Sequence, residues 1–114
     1  MGASRPKPSI ALTPSGINVT VMGARGEHQI HEIEGAHIST AIAYKRDCWA
    51  VDLICLAIGG PDKAVEVTEE MKGWEELLDR APSYLPGWRN KDDWYQTEML
   101  PPFQTNRTVI FSRP

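Results

Sequence analysis

Cysteine is scarce in this chain, with Cys48 and Cys55 the only two. Two are too few for a disulfide framework. Their odd spacing would send them to opposite faces of a single strand, so free thiols in a reducing compartment are expected. Long apolar runs are missing as well. The longest, Trp49 to Ile58, falls well short of the ~20 residues of a membrane span and is interrupted by Asp52. Nor is there an excess of positive charge: 12 Lys and Arg stand against 15 Asp and Glu, for a net charge of −3. That balance excludes a basic nucleic-acid groove and a basic membrane-binding face. Met1 to Pro8 carries basic residues but no apolar segment after them, so no secretory signal is read there, and Pro6 occupies the position where a myristoylation signal needs Ser or Thr. The expectation is a soluble cytoplasmic protein with no nucleic-acid partner and no membrane span.

What the chain does contain is enough apolar material for one packed domain. Hydrophobic residues make up 41 % of 114, and four of the aromatics are Trp. Residues 1–9, with Pro6 and Pro8 and no periodicity, read as a disordered tail, and 10–114 as a single domain. Ile10 to Leu12 and Ile17 to Val21 alternate around Thr13-Pro14-Ser15-Gly16 as a hairpin does. Glu27 to Glu34 is ambiguous and leans to strand because turns bracket it. In Ile38 to Lys45 one face is small, with Ser39, Ala41 and Ala43, which lets another layer approach closely. Val51 to Ile58 reads as a central strand ended by Gly59-Gly60-Pro61-Asp62. Ala64 to Val67 follows as a short strand.

A helix is predicted from Thr68, whose hydroxyl would cap it, with Glu69 and Glu70 in its first turn. Its apolar stripe is Met71, Trp74, Leu77, Leu78 and Ala81, and Pro82 would stop it. Lys91 to Met99 has the features of a short second helix, and Thr108 to Ser112 those of a closing strand. Strands followed by a helix, without regular alternation, imply an α+β fold: one antiparallel sheet of about six or seven strands, covered by one amphipathic helix in the C-terminal half.

Chemistry-bearing motifs are few. His28, His31 and His37 lie close in sequence with Glu32 and Glu34, a composition suited to zinc or iron, but their spacing does not converge on a strand and the stretch contains no H-E-x-x-H. Cys48 follows Lys45 and Arg46, whose charge Asp47 offsets. The Gly23-x-x-Gly26 and Gly59-Gly60 stretches read as turns and not as phosphate cradles. Asp52, inside an apolar strand, must be paired or solvated. A hairpin about Asp47-Cys48-Trp49 would set Lys45 or Arg46 nearly opposite it. Trp88 and Trp94, flanked by charges, and Phe103 are candidates for an exposed contact surface. The candidate binding residues are therefore Trp88, Trp94, Phe103, Asp52, Lys45 and Arg46, with no catalytic residue, metal or cofactor implied.

Two stretches carry a resemblance. Ile42-Ala43-Tyr44-Lys45-Arg46-Asp47 leading into Asp52-Leu53-Ile54-Cys55-Leu56, and Pro101-Pro102-Phe103-x-x-Asn106-Arg107-Thr108-Val109, resemble a family of small uncharacterised bacterial proteins over roughly residues 10 to 113. The layout is also similar, more loosely, to bacterial pleckstrin-homology-like and GRAM-like domains. The first likeness implies no activity and no site residues. The expected function is that of a non-enzymatic module that binds a protein partner through the Trp88–Phe103 segment or an exposed sheet edge. One form would be an immunity-type protein that blocks a toxin. The alternatives are a small-molecule or lipid-headgroup binder of pleckstrin-like layout, with Arg25, Lys45, Arg46 and Lys63 as its basic mouth, and a small enzyme using Asp52.

Overall fold

Apolar residues at every second position draw the first strands onto one core. β1 (Ser9–Thr13) and β2 (Gly16–Met22) pair antiparallel, with Thr13 opposite Gly16. Only Pro14 and Ser15 lie between, and the Thr13 hydroxyl accepts a 2.9 Å hydrogen bond from the Gly16 amide. β3 (His28–Glu34) runs antiparallel along the other side of β2, from Met22 opposite His28 to Gly16 opposite Glu34. Ile10, Ile17, Val19 and Ile33 are buried, while Glu32 and Glu34 are exposed. The ambiguous Glu27–Glu34 stretch is therefore a strand. The computed structural model describes residues 8–23, 25–48, 51–60, 63–99 and 107–113, and for residues 47, 48, 51, 52 and 96–99 the backbone alone. Of the expected tail over 1–9, residues 1–7 lie outside the described residues and Ser9 opens β1.

A single 3-10 turn, Gly35–His37, ends the first sheet. β4 (Thr40–Cys48), β5 (Val51–Gly59), β6 (Ala64–Thr68) and β7 (Arg107–Ser112) then form a second antiparallel sheet in the order β6-β5-β4-β7. The expectation of one sheet is thus corrected: among the described residues there are two, of three and four strands. The physical cause is the turn after β3, which carries the chain away so that β3 pairs with β2 and never with β4. Inside the second sheet, small faces large: Ala41 pairs with Ile58 and Ala43 with Leu56, all buried. Lys45, opposite Ile54 on the same face, is only 2 % exposed.

Among the described residues there are two helices, α1 (Trp74–Tyr84) and α2 (Lys91–Met99); the second has the bounds read from the sequence, so the sheet strands are covered by two helices and not by one. α1 buries Trp74, Leu77, Leu78 and Ala81 and leaves Glu75, Glu76, Asp79 and Arg80 exposed. It packs against β1, whereas α2 packs against β4, β5 and β7. The predicted helix start at Thr68 is overturned. Thr68 still pairs with Cys55 as the last residue of β6, and the Glu69 amide donates to the Ile54 carbonyl at 3.0 Å. Lys72 then bridges to Ser9, with the Ile10 amide on the Lys72 carbonyl at 2.7 Å. Gly73 turns the chain into α1 at φ +97°, and a Cβ there would lie 2.0 Å from the Ile10 carbonyl oxygen, so only glycine fits. Pro82 does not stop α1 either. It sits in the last turn, where the one bond it forgoes is its own donation to the Leu78 carbonyl, and the Leu85 amide still donates to the Ala81 carbonyl at 2.8 Å.

Glu69, assigned from sequence to the helix dipole, instead ties α2 to the sheet. Its Oε1 accepts from the Ile54 amide at 3.1 Å and its Oε2 from the Tyr95 hydroxyl at 2.7 Å. Burial, then the hydrogen bond to Glu69, then the charges of Glu69 and Glu75 push the Tyr95 phenol well above its ordinary value of 10.0. The folded state therefore holds the Tyr95 proton more tightly than the unfolded chain. This contribution is complete below about pH 10 and is lost as pH rises through the folded-state value. Tyr95→Phe is expected to lower unfolding free energy by about 0.5–1.5 kcal/mol at neutral pH. In a phenolate absorbance titration it should remove one late-titrating tyrosine.

Candidate functional site

Two sheets expose four edges, and each edge is a row of backbone donors and acceptors. At β1 the Lys72 carbonyl takes the Ile10 amide, and at β7 the Ile110 carbonyl accepts the Arg89 amide at 2.8 Å. β3 and β6 have no such partner along their outer sides among the described residues. Both border the same cleft, of about 620 Å³. Glu32, Ile33 and Glu34 of β3 form one wall, and Lys63 and Val65 form the other. The Gly59-Gly60 backbone, His37, Ser39 and Arg113 complete the lining, over the fully buried Ile38. A smaller pocket of about 240 Å³, lined by Leu12, Ile17, Tyr84 and Leu85, adjoins it, and Ala36, Ile38 and Arg113 line both.

The cleft is held open by close backbone contacts. A Cβ on Gly60 would lie 2.5 Å from the His37 carbonyl oxygen, so glycine allows the 3-10 turn to rest on the end of β5. Arg113 fastens the same turn: its guanidinium donates to the Gly35 carbonyl and stands 5.5 Å from the Phe111 ring centre. Phe111 in turn lies 5.8 Å from Trp88. On the β3 wall the Glu34 carboxylate approaches His37 Nδ1 at 3.7 Å, both side chains largely exposed. The Ser39 hydroxyl donates toward the Gly59 carbonyl at 3.4 Å. The arrangement offers an apolar floor, a carboxylate wall and a facing lysine.

The residues singled out from sequence do not converge here. Trp88 and Trp94 are 4 % and 1 % exposed, so the expected aromatic contact surface is corrected to core. Phe103 lies outside the described residues. Asp52 pairs in register with Asp47, while Lys45 and Arg46 pair with Ile54 and Leu53, so neither basic residue stands directly opposite it; the Asp52 side chain is outside the described residues. Lys45 is buried and engaged within the protein. Arg46 is bound to Glu66 at 2.5 Å on the other face of the sheet, where Tyr44 also donates to Glu66, whose carboxyl partial burial raises. Of the four basic residues expected to form a headgroup mouth, only Lys63 lines the cleft. Arg25 precedes β3, at the end of that strand remote from Glu34. Among the described residues no group of three or more His, Cys, Asp or Glu is placed to hold a metal ion, and no helix is long and apolar enough to cross a membrane.

Sequence reasoning passed over Glu32 and Glu34 as a paired wall, although their alternation about Ile33 was visible once the strand was assigned. Arg113, next to the C-terminus, carried no signal at all. No protein-family model, curated protein or solved structure matches the chain, so neither resemblance gains support and neither brings residue roles to this site. Arg113→Ala is expected to lose a charge-assisted hydrogen bond and a cation–π contact, lowering unfolding free energy by about 1–3 kcal/mol. Hydrogen exchange should quicken at the Ile38 amide, which bonds to the Gly35 carbonyl at 3.2 Å.

Proposed function

We propose that this chain is a non-enzymatic protein-interaction module whose contact site is the cleft between β3 and β6. The observation that supports this reading is the edge pattern: the two sheet edges without a described backbone partner border one cavity, and the other two are engaged by Lys72 and Arg89. An open edge beside a groove with an apolar floor suits an extended protein segment, which gains affinity from main-chain hydrogen bonds and selectivity from its alternate side chains. An immunity-type inhibitor holding part of a toxin is one form of this activity, consistent with a small chain of net charge −3. A photo-crosslinking amino acid at Glu32, in the cells that make the protein, is expected to capture a defined partner that the same group at Glu76 on α1 does not. Equal capture at both positions, or none at Glu32, would reject the reading.

The cleft volume favours a second reading. About 620 Å³ falls within the ~300–1,000 Å³ typical of small-molecule sites. Native mass spectrometry of the protein purified from its own cells discriminates between the two. A retained mass of a few hundred daltons, lost on substituting the exposed cleft residue Ala36→Trp, supports the small-molecule binder. The bare chain mass supports the protein-interaction reading.

A further inference from the structure

The chemistry of the two walls specifies what kind of segment the cleft takes, an inference that rests on the interaction reading above. Along β3, Glu32 and Glu34 are exposed on one face of the strand while Ile33 between them is buried on the other. A strand paired to this edge shares its faces with β3, so its alternate residues meet alternate residues of β3. Two of its positions stand beside Glu32 and Glu34, and the position between them lies on the Ile33 face of the strand, where Ile33 and Val65 keep 7 % and 8 % of their surface exposed over the buried Ile38. Arg113 leaves that carboxylate wall uncompensated, because its guanidinium is already committed to the Gly35 carbonyl and the Phe111 ring. His37 touches Glu34 only at 3.7 Å. Lys63, on the opposite wall, keeps basic side chains to the β3 side. The carboxylates also disfavour phosphate-bearing ligands.

We propose that the cleft binds, along the β3 edge, an extended segment of a partner protein in which basic residues alternate with apolar ones. A Lys or Arg pair two positions apart lies against Glu32 and Glu34, and the apolar residue between them fills the floor. A second copy of this chain is the less favoured occupant, because its own β3 brings the same two carboxylates. The chain's own Arg5 and Lys7 have the right spacing, with Pro6 between them where the floor calls for an aliphatic side chain.

The test uses the full isotope-labelled chain and three capped seven-residue peptides: alternating Lys and Val, alternating Glu and Val, and the Lys-Val peptide N-methylated along its backbone. The proposal expects the Lys-Val peptide to shift the amides of residues 28–34 and 63–67, and N-methylation to abolish the effect. Glu32→Lys with Glu34→Lys is expected to weaken Lys-Val binding about tenfold or more and to make the Glu-Val peptide the better ligand. Both glutamates are exposed, so the spectrum elsewhere should report an intact fold. If both peptides shift those amides equally, the alternating basic pattern is overturned while the cleft reading stands. If neither peptide shifts them, the cleft reading falls too. A concentration-dependent dimer whose interface covers residues 28–34, or tighter peptide binding after removal of residues 1–7, would overturn the proposal in favour of a second copy or the chain's own N-terminal segment.

Discussion

Backbone hydrogen bonding at the sheet edges is the constraint on which this structure turns. A buried amide or carbonyl without a partner is costly, and an open edge is a template for pairing. Dividing the strands into two sheets doubles the number of edges the chain must manage. It spends the segment between β6 and α1 on one of them, through the Ile10–Lys72 bond, and the loop between α1 and α2 on another, through Arg89 and Ile110. These contacts also position the helices, since Gly73 and Trp88 lie in the same two segments. The edges of β3 and β6 are left facing the cleft, so the way the fold closes its other edges is what creates the site.

Volume matching sets the second layer. β4 presents Ala41 and Ala43 where β5 presents Ile58 and Leu56, and α2, which carries Trp94, lies over these strands and β7. Small residues on the central strand let a neighbouring layer approach closely. Trp88 closes the other end of the core against Phe111, and Arg113 over that ring reaches back to the 3-10 turn. One continuous set of contacts therefore runs from the loop after α1 to the rim of the cleft.

The hairpins were legible because each is written in adjacent residues. Alternation in Ile17-Asn18-Val19-Thr20-Val21, a two-residue connection through Pro14-Ser15 and the Gly59-Gly60 turn all act over short range. The helix start was misread for the opposite reason. Thr68, Glu69 and Glu70 are good cap and first-turn residues, yet Thr68 is held by Cys55, Glu69 by Ile54 and Tyr95, and Lys72 by β1. Long-range pairing outweighs a local preference worth about 1 kcal/mol. Trp88 and Trp94 were misread because their charged neighbours Arg89, Asp92 and Asp93 are exposed while the indoles turn inward. A nine-residue helix whose bulkiest side chain is Trp94 must bury it to be held at all. In the cleft, the Glu32–Ile33–Glu34 alternation was readable. Lys63 was named only as one of four basic residues and Arg113 not at all, since both come to the cleft only through the return of β6 and β7.

By itself the sequence determined the strand periodicity, the turns at Pro14-Ser15 and Gly59-Gly60, the mixed charge and the supply of large apolar anchors, all of which depend on neighbouring residues. The tertiary structure decided that the strands separate into two sheets, that the chain from Glu69 to Gly73 serves as a joint before the helix begins, and which edges stay open. Those outcomes depend on which backbone groups meet across long stretches of chain. Such pairings reward the whole arrangement and leave no mark on any one segment, so the cleft between β3 and β6 exists only in the folded molecule.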